Sequence, residues 1–202
     1  NDYSSISKYY PELTFITGGL SKWCGAGGWR LGYFVIPRSL KSIKDSLNVL
    51  ASETFSAVSA PIQYAAIHAF ENDHSNFIKA SRNILGAIGN YVHKNLSSNK
   101  ILTSKPQGGF YLMPEFITDK FNSSSEMCSA ILKETGVALL PGSDFGFEKK
   151  RMLARLSFTD FDGKNFMNQY EKKHKIDNEL ISQCAPKVVE GIDKLKKWSE
   201  AI

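Results

Sequence analysis

Gly18 to Tyr33 reads G-G-L-S-K-W-C-G-A-G-G-W-R-L-G-Y and lies between two runs of β-type residues. Before it, L-T-F-I-T from Leu13 to Thr17 is β-branched and aromatic and follows Pro11, which predicts a buried strand stopped by Gly18 and Gly19. After it, Leu31 to Ile36 predicts a second strand ended by Pro37. The intervening loop carries Lys22 and, eight residues on, Arg30. Gly25, Gly27 and Gly28 give that loop φ values closed to other residues and let backbone approach a ligand closely. A lysine amine near neutral pH is almost wholly protonated, but desolvation or a neighbouring cation lowers its pKa enough for Schiff-base chemistry. A loop at a strand end offers such an environment; otherwise Lys22 is an ordinary solvated lysine. Cys24 reads as a small packing residue.

Trp29-Arg30-Leu31 sets a guanidinium beside a bulky aromatic at the start of a predicted strand, where a charge is costly unless paired. Arg155 in A-R-L-S-F poses the same demand in another strand. Arginine presents a fixed fork of donors suited to phosphate or carboxylate. Each position therefore calls for an anionic ligand or for a structural salt bridge.

Around these residues the chain alternates. Leu40, Ile43, Leu47 and Leu50 recur at helical spacing. Pro61 suits the first turn of a second helix, capped near Ser59, and a third runs from about Asn76 to Asn95. Gly86 and Gly89 within it predict a bend or a close crossing. Short strands follow at Ile101 to Thr103 and Gly109 to Pro114. Ser123 with Glu126 forms a capping box for a helix ended by Gly136. Val137 to Leu140 and Met152 to Phe158 predict further strands, and Pro186 divides a helical tail. The pattern predicts an α/β class, with residues 1–86 in one domain, 87–202 in a smaller α+β domain, and the hinge near Gly86.

Composition narrows the function classes. The 202 residues are 42% hydrophobic, enough for a folded core. There is no long apolar run and no signal-peptide pattern at the start, which points to the cytoplasm and away from a membrane. The net charge of +5 comes from lysines scattered over helix-like segments, a solvated surface and not the arginine and aromatic stripe of a nucleic-acid site. Three widely spaced cysteines, Cys24, Cys128 and Cys184, read as reduced thiols, and the four histidines show no metal spacing. A chain that opens on Asn1 and enters its reactive loop almost at once reads as the later part of something longer.

Ser21-Lys22 followed by G-G-W-R-L-G-Y, then P-Q-G-G-F-Y at Pro106 to Tyr111, L-P-G-S-D-F-G at Leu140 to Gly146 and R-L-S-F at Arg155 form an ordered series. In order and spacing it resembles the C-terminal half of the class I and II pyridoxal-phosphate-dependent aminotransferases, which have fold type I and are aspartate aminotransferase-like. The resemblance implies the last strands and helices of a large α/β domain followed by a small C-terminal domain. It implies that Lys22 carries pyridoxal 5'-phosphate as an aldimine and then moves the proton at the substrate α-carbon. Arg30 would bind the cofactor phosphate with help from Ser21, and Arg155 the substrate α-carboxylate. Phe110, Tyr111 and the loop Pro141 to Phe145 would form a wall that moves on substrate binding. Where the family commonly has a phosphate-binding serine three residues before the lysine, this chain has Gly19.

In the family, the aspartate that pairs with the pyridine nitrogen and other cofactor contacts lie upstream of the lysine strand. Asp2 is too close to that strand for the role and reads as a surface residue. The expectation is therefore a transaminase moving an amino group between an α-amino acid and a 2-oxo acid, present as a fragment inactive alone, from a homodimer whose partner faces Ser52 to Ser59. The subgroup resembled most is specific for aspartate or aromatic substrates. The alternatives are another reaction of the same fold, a lyase or a decarboxylase, and a non-catalytic binding module that retains the motifs.

Overall fold

The computed structural model describes residues 4–202, so Asp2 lies outside the described residues. Its contacts divide the chain between Ile78 and Lys79, in the first turn of a long helix.

In the first unit, Pro11–Leu13 is a 3₁₀ turn and not the start of a strand. Proline fixes the first φ of the turn, the Thr14 N–H closes it on the Pro11 carbonyl at 3.4 Å, and the Thr14 hydroxyl donates to the Tyr10 carbonyl. Strand β1 (Ile16–Gly19) runs straight into α1 (Leu20–Trp23), a single helical turn, and pairs antiparallel with β2 (Gly32–Val35). The ribbon is not buried as the sequence predicts: Phe34 is 60% exposed. Two strands alone cannot cover both of their faces.

Helix α2 (Lys41–Thr54) has the expected apolar spacing yet buries no residue, and Ile43, Val49 and Leu50 stand in solvent. Helix α3 (Ala60–Glu71) has Pro61 in its first turn; the Ser59 backbone carbonyl accepts from Ile62 and Gln63, while its hydroxyl caps nothing. The core of this unit is Leu20 against Ala66 and Ala69, with Trp23, Cys24, Ala26 and Leu31 around them. The two alanines of α3 are what lets the α1 turn come close.

In the second unit, α4 (Ser75–Leu96) runs unbroken through both of its glycines and buries Ile84, Ile88, Val92 and Leu96. Gly89 marks the close crossing: a Cβ there would lie 3.0 Å from Phe158 Cζ and 3.1 Å from Pro106 Cγ. Gly86 faces open space, and its carbonyl accepts a bond from the Asn90 side chain. Strands β3 (Ile101–Leu102), β4 (Tyr111–Leu112) and β5 (Glu115–Phe116) follow, then α5 (Ser124–Thr135), β6 (Leu140–Pro141) and β7 (Ala154–Ser157). β3 pairs with β5, and a three-stranded antiparallel sheet has the order β4-β7-β6.

The caps follow the sequence closely. Ser123 Oγ accepts from the Glu126 N–H, and Glu126 reaches back to the Asn122 N–H, one residue earlier than a standard capping box. Gly136 ends α5 with φ +75°, a conformation that favours glycine. Asp162 caps α6 (Gly163–Lys173), Asp177 caps α7 (Asn178–Cys184), and Pro186 opens α8 (Pro186–Ala201). The tail thus has three helices, because His174 in the left-handed region stops the first of them. Trp198 on α8 packs edge-on against Phe116, stacks on Phe121 and donates to Glu134 Oε2 at 2.7 Å. This mixed order of short strands and helices is the one expected for the C-terminal part of the α/β fold with its small α+β unit.

Candidate active site

Lys22 does not sit in an open loop. It occupies the third position of α1 and is exposed, with half-buried Ser21 before it and Trp23 after it. The turn is closed by its own backbone: the Ala26 N–H reaches the Leu20 carbonyl at 3.2 Å, and the Gly25 N–H the Lys22 carbonyl at 3.3 Å. Beneath it, the Trp23 ring lies 6.0 Å from Phe70 and 6.3 Å from His74, while Tyr33 meets Phe70 edge-on at 5.3 Å. Tyr33 covers Gly18 so closely that a Cβ there would come within 2.4 Å of the ring. These ring contacts and the closed backbone hold the turn that carries Lys22.

Of the three loop glycines, only Gly25 has a positive φ, +67°. The left-handed role falls instead on Arg30, at φ 54° and ψ 38°, which ends the 3₁₀ turn Gly27–Trp29. Such a conformation costs a residue with a Cβ about 1–2 kcal/mol. Arg30 therefore precedes strand β2 and does not stand in it. Its Nη1 donates to the Gly27 carbonyl at 2.7 Å, and among the described residues no carboxylate pairs with it.

The second unit holds the other predicted residues. Arg155 lies in the central strand β7, opposite Leu140 of β6; its neighbours Ala154 and Leu156 point into the core, so its side chain leaves on the opposite face. Its Cζ lies 4.5 Å from the centre of the Tyr111 ring and 4.4 Å from that of Phe145. Tyr111 comes from β4 on one side of β7; Phe145 comes from the turn that follows β6 on the other. No carboxylate pairs with Arg155 among the described residues. Phe110 is half-buried, packs on the main core and lies 4.5 Å from the Tyr111 ring.

Gly142 makes the position of Phe145 possible. A Cβ on Gly142 would lie 2.7 Å from Leu153 Cβ, and its N–H reaches the Leu153 carbonyl at 2.7 Å. The turn Gly142–Phe145 is thus pressed against the strand that carries Arg155.

Sequence reasoning missed Arg151. It forms a two-pronged ion pair with Glu115, Nε to Oε1 at 2.9 Å and Nη2 to Oε2 at 2.7 Å, and that partner holds the Glu115 carboxyl below its usual range. Only the fold brings residues 115 and 151 together, so no local signal marks the pair. The cysteines are free thiols; burial pushes Cys128 up to about 11, with Asp144 adding to the effect, so it stays protonated. Among the described residues no cluster could hold a metal ion, and no helix is long and apolar enough to cross a membrane.

Comparison with known proteins identifies the family of the chain. Residues 2–165 match the family described as aminotransferase class I and II, and the chain belongs to that family. Over 147 residues it is 31% identical to a probable aspartate/prephenate aminotransferase of Aquifex aeolicus, a match covering 71% of this chain and 36% of that protein. It is 35% identical over 150 residues to an aspartate aminotransferase of Geobacillus stearothermophilus, covering 70% and 37%. Among solved structures, an alanine aminotransferase from Pyrococcus furiosus superposes with a TM-score of 0.69 at 26% identity, over 93% of this chain and 42% of that one. The chain thus spans little more than a third of the length of the curated relatives it matches.

Proposed function

We propose that this chain carries the lysine and substrate-carboxylate residues of a transaminase that moves an amino group from an α-amino acid to a 2-oxo acid. The observation that supports this most is that Arg30 and Arg155 each present a guanidinium with no acidic partner among the described residues, within a family that handles anionic amino and oxo acids.

The residues fit pyridoxal 5'-phosphate. An exposed amine on a backbone-closed turn and an arginine with donors still uncommitted, both on one loop, form a donor set suited to an amine-reactive anion. Lys22 would hold the cofactor through Nζ, and Arg30 with the Ser21 hydroxyl would hold its phosphate. When bound, the cofactor supplies an electrophilic carbon and a ring that withdraws electrons from the substrate α-carbon. Lys22 Nζ, released when the substrate amine takes its place, would accept the proton from the substrate α-carbon and later give one back. Arg155 takes the α-carboxylate, with Phe110 and Tyr111 lining its surroundings.

The reading extends to residues 1–86 as part of a large cofactor domain and 87–202 as the small domain. It also includes a cytoplasmic homodimer and aspartate or aromatic substrates. The reading includes weak cofactor binding and negligible turnover by these 202 residues alone, which span little more than a third of the length of the curated relatives.

The test is to titrate the full chain with pyridoxal 5'-phosphate, reduce with borohydride and map the modified peptides. Lys22 should be labelled ahead of the other lysines, and Arg30→Gln should raise the half-labelling concentration about tenfold. Labelling spread evenly over the lysines would overturn the assignment.

A further inference from the structure

Arg151 and Arg155 stand four residues apart, and the structure treats them oppositely. Arg151 is neutralised by the Glu115 carboxylate. Arg155 has two aromatic rings within 4.5 Å of Cζ and, among the described residues, no carboxylate partner, although Asp144 immediately precedes one of those rings in the chain. An ion pair would have used the in-plane N–H donors of Arg155 and would have to be broken before a ligand could use them. Two rings at that distance hold the cation without an acid, and no described group takes an Arg155 N–H, so its donors stay available to a ligand.

We propose that Phe145 and Tyr111 are positioning residues for Arg155: their rings fix the plane of the guanidinium so that its edge meets a carboxylate in bidentate fashion. This rests on the reading of Arg155 as a carboxylate site. The ring of Phe145 is aimed by the turn Gly142–Phe145, which Gly142 allows to press on Leu153, so the glycine in L-P-G-S-D-F-G serves the arginine in R-L-S-F through backbone packing. Orientation is the gain, because a bidentate pair forms only when both N–H groups point at both oxygens.

The test uses the full chain and 2-oxoglutarate as probe, observing the arginine side-chain N–H signals by NMR, with that of Arg155 identified by its loss in Arg155→Lys. In the native chain the Arg155 signal should shift on titration, and rotation of its guanidinium should be slowed relative to exposed arginines such as Arg38. Phe145→Leu should speed that rotation and weaken binding about five- to tenfold, with the circular dichroism spectrum unchanged. Phe145→Tyr should restore both to within about twofold, which a purely structural role would not require. If Phe145→Leu binds the probe as the native chain does, the positioning role is wrong while the carboxylate site stands. If the native Arg155 signal does not respond to the probe, the carboxylate reading fails, and this inference fails with it.

Discussion

Among the described residues, the unit ending at Ile78 gathers three buried apolar side chains, Leu20, Ala66 and Ala69, at its lysine turn, whereas the unit from Lys79 onward packs Ile84, Ile88, Val92 and Leu96 of α4, both small sheets and three tail helices into one continuous core. The first displays an amine and an arginine on a tightly closed loop but leaves the apolar stripe of α2 in water. The second displays Arg155 and holds it with rings. Reactive residues and structural stability are therefore unevenly shared. A loop can be held locally, through backbone closure and ring contacts, in a unit with little core of its own.

This contrast is broken most directly by truncating one large side chain in each unit. Phe166 is 0% exposed and meets Phe161 edge-on, so Phe166→Ala should cost about 3–5 kcal/mol in chemical denaturation. Phe34, on the open ribbon, should lose no more than about 0.5 kcal/mol on the same change. Equal losses at the two positions would mean that β2 is as well covered as α6, and the contrast would fall.

A finer test lies within α4, where two glycines three residues apart meet opposite surroundings. Gly89→Ala forces a methyl group against Phe158 and Pro106 and should cost about 1–3 kcal/mol. Gly86→Ala meets nothing within 4 Å and should stabilise the helix by about 0.5–1 kcal/mol. Thermal melts of the two variants should therefore move in opposite directions. The sequence shows two helix-interior glycines and cannot say which of them is crowded, because the crowding atoms lie in distant residues.

Caps, stops and helix periodicity depend on residues close in sequence, and Ser123, Gly136, Asp162 and Pro186 act as their types predict. The order of the motifs identified the family, which needs no geometry. Burial of β2 and α2 was not legible, since an amphipathic pattern states which face wants cover and not whether cover is present. The helical turn at Lys22 was hidden by glycines that look like loop. The rings over Arg155 depend on the order β4-β7-β6, in which the outer strands are remote in sequence from each other. Nor does the sequence show that Arg151, four residues before Arg155, is paired with Glu115.

The smallest effect concerns that last pair and sharpens the difference between a structural and a ligand-facing arginine. Glu115 is held below its usual 4.5 first by the hydrogen bonds from Arg151 and then by its charge. A carboxyl depressed in the folded state contributes stability that is fully present above about pH 4.5 and is lost as the pH falls through the lowered folded value. With side chains 47% and 27% exposed for Arg151 and Glu115, the pair contributes at most about 1 kcal/mol. Glu115→Gln should therefore lower stability by up to about 1 kcal/mol at pH 7, and the difference from the native chain should shrink as the pH falls through the lowered folded value. Arg155→Lys should produce no such pH-dependent difference, because among the described residues no carboxylate pairs with it. Denaturation midpoints for both variants at pH 7 and pH 2 decide the matter: an acid-sensitive loss at Arg155 would mean that it, too, is held by a carboxylate.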